Sequence, residues 1–265
     1  MIQSLNSPHV ARVKALIGSR GVKERKVAGQ FVAEGLQCVR EAIIAKSEAA
    51  IETLYLTANG RIKVEQLLEI SDVNCVDVSD EVMREMSETI TPQGILALCK
   101  IPKTDLATIS LNGSRKFIYL FEIQDPGNAG TILRSADAFA MDAVITSPGS
   151  VDMYSPKVVR STAGSLWHIP VFEDVAISDL LQLKLQAFSL GAQGAKDLIN
   201  FQVSGDCVAV FGNEARGLAT SHQLNQIEVI KIPMPGNAES LNLSAAATIV
   251  MYHLSNMPAS QSSSR

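Results

Sequence analysis

Apolar residues along this chain alternate between short continuous runs and stretches where they recur every three or four positions. The runs Phe31–Ala33, Ile51–Leu56, Cys75–Val78 and Gly94–Cys99 read as strands. Helical spacing covers Gly35–Lys46 and Ile62–Ile70, with a short helix after Ser79. Ser7-Pro8 is an N-cap followed by proline at the first helical position, so it opens a helix to about Ile17, where Gly18 stops it. The residues beyond Gly18 read as a loop. Strands alternating with helices imply an α/β sandwich of about 100 residues.

Residues 101–115, IPKTDLATISLNGSR, lose all periodicity and suit a linker, which places a domain boundary near residue 105. A second α/β pattern follows: strand Phe117–Ile123, helix Asn128–Ala140 and strand Ala143–Thr146, then strands Ala187–Leu190, Cys207–Phe211 and Glu228–Ile232. A last helix spans Leu243–Leu254. The chain therefore reads as domains 1–105 and 106–256, with a polar tail, 257–265, expected to be disordered.

Composition fits a folded protein, with 265 residues, 46% hydrophobic and 19% charged. No apolar run approaches the roughly 18–20 residues that span a bilayer, and the N-terminus lacks a secretory pattern, so no membrane partner and a cytoplasmic location are expected. Cys38, Cys75, Cys99 and Cys207 stand singly, without the spacing of a metal or disulfide framework, so no metal is expected. Net charge is −4, yet it is uneven. Arg12, Lys14, Arg20, Lys23, Arg25 and Lys26 face Glu24 alone in the first 30 residues, a local +5 that leaves −9 on the remainder. Such a segment is a docking surface for something anionic or a solvated face.

Chemistry concentrates in three loops of the second half, each an apolar strand running into a glycine-bearing turn: IYLFEIQDPGNAGTILRSADAF, VAVFGNEARGL and IKIPMPGNAESLNLSAAA. Strand ends of this kind are where α/β sheets bind ligands. Gly212 and Gly217 have P-loop spacing, but Leu218 and Ala219 occupy the places of Lys and Ser or Thr, which rejects a triphosphate site. Gly127-Asn-Ala-Gly130 lacks the dinucleotide fingerprint, and no acidic residue lies about 20 positions on. The loop SLGAQGAK likewise lacks that pattern.

Together the three loops resemble the SpoU, or TrmH, family of RNA ribose 2′-O-methyltransferases. The matching positions are Asn128-x-Gly130-x-x-x-Arg134, then Phe211-Gly212-Asn213-Glu214-x-x-Gly217-Leu218, then Ile232-Pro233-Met234 with Ser240-Leu241-Asn242-Leu243-Ser244-x-Ala246. The resemblance spans about residues 115–255, and Phe31–Ile43 resembles the ribosomal-protein-like substrate-binding domain that precedes the catalytic domain in such proteins. It implies a SPOUT-type α/β domain with a trefoil knot behind a smaller α/β domain, S-adenosylmethionine as cofactor, and a homodimer with its active site between subunits.

The resemblance also implies roles. Gly212, Asn213, Gly217, Ile232, Met234 and Leu241 would surround the cofactor, largely through backbone groups and apolar walls. Asn128, Arg134, Glu214, Ser240 and Asn242 would form the catalytic set. Arg134 suits a phosphate through its planar fork, while a guanidinium with a pKa above about 12 is a poor general base, so its protonation role stays open. Taken singly, Asn128 is an ordinary N-cap, Arg134 a surface charge, and Ile232 and Leu241 core residues. With RNA as substrate, Arg12, Lys14, Arg20, Lys23, Arg25 and Lys26 become phosphate contacts. The expected activity is methyl transfer to RNA, preferably ribosomal RNA. Transfer RNA, a catalytically silent RNA-binding scaffold and an NAD-dependent oxidoreductase are the rivals.

Overall fold

A computed structural model describes residues 1–45, 49–213, 218 and 227–257. The chain packs as two compact units, one built from residues 1–103 with 152–168, the other from 104–151 with 169–265.

The first unit opens with α1 (Pro8–Ile17), whose cap is Ser7 and whose end is Gly18, followed by α2 (Gly21–Ala28). Next come β1 (Gln30–Glu34), α3 (Leu36–Ala45), β2 (Ile51–Leu56), α4 (Ala58–Glu65), β3 (Cys75–Asp77), α5 (Asp80–Met86) and β4 (Ile95–Lys100). The sheet order is β1-β4-β2-β3, with β4 antiparallel to both β1 and β2 and β3 parallel to β2. Val10, Val13 and Leu16 of α1 meet Val82, Met83 and Met86 of α5 over Val32, Tyr55, Leu96 and Leu98 of the sheet. Every residue of β1 is buried, which requires a cover on its second face as well.

That cover comes from a segment distant in sequence. Residues 152–168, expected to belong wholly to the second domain, pack into the first unit instead. They carry α7 (Pro156–Ser161), and they place Tyr154 and Trp167 around Phe31 with ring centroids 5.1 and 5.9 Å away. The Trp167 indole donates to the Ala49 carbonyl at 3.0 Å. The expected boundary near 105 thus falls close to the border at 103/104, but a linear division misses this excursion.

Arg25 is anchored to the same segment. Its Nη2 lies 2.7 Å and its Nε 2.8 Å from Asp152 Oδ2, both side chains are buried, and Nη1 donates to the Leu16 carbonyl. Arg25 is therefore not the RNA contact expected from the sequence: a guanidinium 4% exposed and fully engaged does not meet a phosphate. The residues after Gly18, read as a loop, form α2; its pattern GVKERKVA lacks an apolar stripe because Arg25 takes the inward position.

The second unit holds β5 (Lys116–Leu120), α6 (Pro126–Ala138), β6 (Ala143–Thr146), β7 (Val171–Phe172), α8 (Ile177–Gln182), β8 (Gln186–Leu190), β9 (Lys196–Asp197), β10 (Cys207–Phe211), β11 (Glu228–Lys231) and α9 (Leu243–Ser255). Its sheet order is β7-β6-β5-β10-β8-β11-β9, and every pairing is parallel. Strands buried on both faces need continuous apolar runs, and KFIYL, AVIT and CVAVF supply them. Phe117, Tyr119, Ile145, Val208 and Val210 face Ile177 and Leu180 of α8. Leu106 and Ile109, read as linker, pack against this core. β5 ends three residues earlier than expected because Glu122 has φ +50, outside strand conformation. The expected disordered tail lies outside the described residues except for Met257.

Candidate active site

Because the second sheet is parallel, the C-terminal ends of β5, β8, β10 and β11 share one edge, and these four strands are neighbours in the order β5-β10-β8-β11. The three motif loops leave from β5, β10 and β11. This places them side by side, as ligand sites in open α/β sheets are placed.

The loop after β5 is fixed by several bonds. The Glu122 N–H donates to Ser147 Oγ at 2.7 Å, and its carbonyl accepts from Asn213 Nδ2 at 2.9 Å. Gln124 Nε2 donates to the Gly149 carbonyl at 2.7 Å. Asp125 then caps α6, its Oδ1 accepting from the Asn128 N–H at 2.7 Å, and Pro126 occupies the first helical position. Asn128, expected to be the cap itself, stands inside the first turn, which frees its side chain from capping.

Asn242 meets it there. Asn242 caps α9 through Oδ1, which accepts from the Ser244 N–H at 2.8 Å and the Ala245 N–H at 3.4 Å. Its Nδ2 donates to Asn128 Oδ1 at 3.2 Å. Two residues 114 positions apart are thus joined head to head at the starts of two adjacent helices. Farther along, Ser135 and Thr248 hydroxyls lie 2.8 Å apart and hold α6 beside α9.

A cavity of about 230 Å³ opens beside this pair, lined by Leu190, Gly191, Ala192, Ile232, Met234, Glu239, Ser240, Leu241 and Ala246. Ile232, Met234 and Leu241 from the expected cofactor set line it, together with Ser240 from the catalytic set. Leu190, Gly191, Ala192, Glu239 and Ala246 were missed. The signal for the first three was available in the strand-then-glycine pattern of SLGAQGAK, which fails only as a dinucleotide fingerprint. Gly194 explains that loop's glycines: a Cβ there would lie 2.6 Å from the Ile230 carbonyl carbon and the Lys231 nitrogen, so the loop rests directly on β11.

Other expected residues are placed differently. Asn213 is 7% exposed and holds the loop after β5 by its amide, which makes it a loop anchor rather than a cavity wall. Gly212, half-buried, follows β10 directly. Glu214 and Gly217 lie outside the described residues. Arg134 is exposed and forms no ion pair or hydrogen bond with a described residue. Six residues on a helix rotate by about 240° and rise about 9 Å, so Arg134 does not share a face with Asn128.

The cavity fits S-adenosylmethionine chemically. Leu190, Ile232, Met234, Leu241 and Ala246 offer apolar walls for an adenine, and Glu239 adds a carboxylate of the sign a sulfonium attracts. Among the described residues no group of three or more His, Cys, Asp or Glu is arranged to hold a metal ion. Burial pushes the Cys38 thiol up to about 11 and the Cys207 thiol up to about 12, which keeps both as unreactive thiols.

Comparison with known proteins agrees with this geometry. Residues 115–252 match the model of the SpoU rRNA Methylase family, and residues 8–97 match an MRM3-like substrate binding domain. The chain is 33% identical over 235 residues, 88% of its own length and 91% of the relative's, to the 23S rRNA (guanosine(2553)-2′-O)-methyltransferase RlmP of Bacillus subtilis. It is 26% identical over 251 residues, 90% of its length and 86% of the relative's, to the 23S rRNA (uridine(2479)-2′-O)-methyltransferase of Streptomyces viridochromogenes. The crystal structure of an AdoMet-bound rRNA methyltransferase from Sinorhizobium meliloti superimposes with a TM-score of 0.82 at 26% identity, covering 96% of each chain. A family model matched over residues 115–252 and a relative 33% identical along most of both chains give one conclusion: this protein belongs to the SpoU rRNA methylase family.

Proposed function

We propose that this chain transfers the methyl group of S-adenosylmethionine to the 2′-hydroxyl of a ribose in ribosomal RNA of the large subunit. The observation that carries the reading is the Asn128–Asn242 amide contact, made by the residue that directly follows Ser240 and Leu241 in the wall of the cavity that Ile232 and Met234 also line. The bound cofactor would supply an electrophilic methyl on a cationic sulfur. That methyl would pass to the ribose oxygen as the hydroxyl proton passes to solvent water, leaving the cofactor as a neutral thioether.

This chain's residues serve placement. Backbone groups and apolar walls around Ile232, Met234 and Leu241 hold the donor, while Asn128 and Ser240 address the acceptor ribose. Asn242 keeps Asn128 in position. Holding two reactants in line supplies much of the rate of such a displacement without a strong base. Arg134, turned away from Asn128 on α6, serves a second copy of the chain by gripping the substrate phosphate there. Apolar surface supports a homodimer: Ile199, Ile249 and Tyr252 are 73%, 39% and 59% exposed on the second unit, beside a cavity that Ile232 and Pro233 also line. The knotted passage of the SPOUT class goes with this reading, supported by the family match over residues 115–252. The first unit serves as the RNA-recognition domain. Similarity to a bacterial 23S rRNA methyltransferase supports a cytoplasmic location.

The test uses the purified protein, methyl-labelled cofactor and separate 23S, 16S and transfer RNA. Label in alkali-resistant dinucleotides from 23S RNA is expected, since a 2′-O-methyl group blocks cleavage at that ribose. Label confined to bases, or to transfer RNA, would contradict the reading.

A further inference from the structure

The six cations of the N-terminal segment are split between α1, the interior and the outer side of α2. Arg12 pairs with Glu52 at 3.3 Å, Lys14 pairs with Glu85, and Arg25 is buried against Asp152. Arg20, the residue before α2, and Lys23 and Lys26 on it are exposed. Helical geometry explains the split. At about 100° per residue, Arg20, Lys23 and Lys26 fall within one arc of about 120°, and Gly21 and Arg25 point to the opposite side. Gly21 lets that side sit close to α1, because a Cβ there would lie 2.5 Å from the Leu16 carbonyl oxygen and from Arg25 Nη1. Val27, 77% exposed, lies within the charged arc and Val22, 48% exposed, borders it.

A second strip of charge joins the first. The Ile101 N–H donates at 2.8 Å to the carbonyl of Gly29, the left-handed residue that ends α2 with φ +63. The bond brings the end of β4 against the end of α2, and the exposed Lys100 and Lys103 flank it in sequence. Arg20, Lys23, Lys100 and Lys103 form no ion pair with any described residue, and Glu24 is the single acidic residue of α2.

We propose that Arg20, Lys23, Lys26, Lys100 and Lys103 form one surface that grips the sugar–phosphate backbone of the RNA substrate. This rests on the RNA methyltransferase reading and specifies where the first unit holds its substrate. Charge complementarity selects the occupant: on a chain of net charge −4, these five cations are exposed and Glu24 is the one acidic residue of α2. The two valines suit the apolar faces of riboses between phosphates. Contacts of this kind position the RNA and do not read its sequence. Arg12 and Lys14 belong to α1 and stand outside the surface.

The test measures binding of 23S RNA, and separately of poly(U), to the full chain across a salt series by filter retention. Each phosphate contact contributes about 0.7–0.9 to the slope of log K against log salt. R20A/K23A/K26A is expected to weaken binding at low salt at least tenfold and to flatten the slope by roughly 2–3, with K100A/K103A flattening it by roughly 1–2. R12Q/K14A is expected to leave the slope unchanged. An unchanged slope in the first two variants, or an equal change in R12Q/K14A, overturns the proposal. Tighter binding of the parent to an acidic polypeptide of equal charge than to poly(U) also overturns it. Methyl transfer is scored in parallel over a range of RNA concentrations, where the surface variants are expected to need at least tenfold more RNA to reach the half-maximal rate. Transfer to no RNA by the parent protein would sink the enzymatic reading, while the poly(U) slopes would still decide the surface.

Discussion

Asn242 performs two tasks with two atoms, and its substitutions separate them. Oδ1 caps α9 through the Ser244 and Ala245 amides, and Nδ2 donates to Asn128 Oδ1 at 3.2 Å. Asn242→Ala removes both. Loss of the cap costs about 1 kcal/mol and loss of the exposed hydrogen bond about 1 kcal/mol more. At roughly 2–4 °C per kcal/mol for a unit of this size, Tm falls by about 4–8 °C. Asn242→Asp keeps an acceptor at the cap and adds a carboxylate at a helix N-terminus, a favourable change of about 0.3–1 kcal/mol. It loses the donor toward Asn128, so the contact survives only if the Asn128 amide turns over and presents its nitrogen instead of its oxygen. Either way the acceptor-facing group of Asn128 is displaced, and about 1.4 kcal/mol of lost positioning slows transfer about tenfold. The assay is single-turnover methylation of 23S RNA at saturating cofactor, with thermal melting on the same samples. N242D is expected to melt within about 2 °C of the parent and to react at least tenfold more slowly. Full activity in N242D, or a melting point as low as that of N242A, would refute the two-task assignment.

Other expectations follow from the same geometry. Arg134→Ala is expected to reduce turnover at least about 100-fold while titration calorimetry shows unchanged cofactor affinity, and mixing R134A with an N128A chain should restore part of the activity if the two residues act across a dimer. Asp152→Ala strands the buried Arg25 guanidinium and is expected to cost about 3–5 kcal/mol in denaturant unfolding, against less than about 1 kcal/mol for Arg12→Gln at the exposed pair with Glu52. Partial burial pushes the Asp206 carboxyl up, but amide hydrogen bonds from Arg115, Gly113, Asn112 and Ser114 outweigh it and hold the pKa below the ordinary value. A depressed carboxyl contributes stability above its unfolded pKa and loses it as pH falls through the folded one, so Asp206→Asn should lower Tm at pH 7 and converge with the parent in acid. Gly194→Ala forces a Cβ against the β11 backbone and is expected to weaken cofactor binding at least tenfold, read by calorimetry.

Elements with strong local signals could be read from sequence to the residue. Ser7-Pro8 and Gly18 bracket α1, and the runs Ile51–Leu56, Ala143–Thr146 and Cys207–Phe211 match β2, β6 and β10. Where glycine serves close approach, reading fails. Gly60 sits inside α4, which begins at the Thr57 cap and not at Ile62, because a Cβ at Gly60 would lie 1.9 Å from the Gly94 carbonyl oxygen. A glycine in a first turn looks like a breaker when its partner is out of view. α7 and α8, six residues each, are too short to show helical periodicity, and nothing local reveals that 152–168 joins the first unit, since the bond that holds it is a long-range buried ion pair. In the site, motif order pointed to Ile232, Met234, Ser240, Leu241, Asn128 and Asn242. The inward role of Arg25 and the anchoring role of Asn213 depend on burial, which residue type does not encode.

The assignment of the cavity is tested most directly by a crystal structure of the full chain with S-adenosylhomocysteine. Density for the adenosine is predicted against Leu190, Ile232, Met234, Leu241 and Ala246, with the sulfur directed toward the Asn128–Asn242 contact. Density for the ligand elsewhere on the chain, or a sulfur directed away from those two amides, would contradict it.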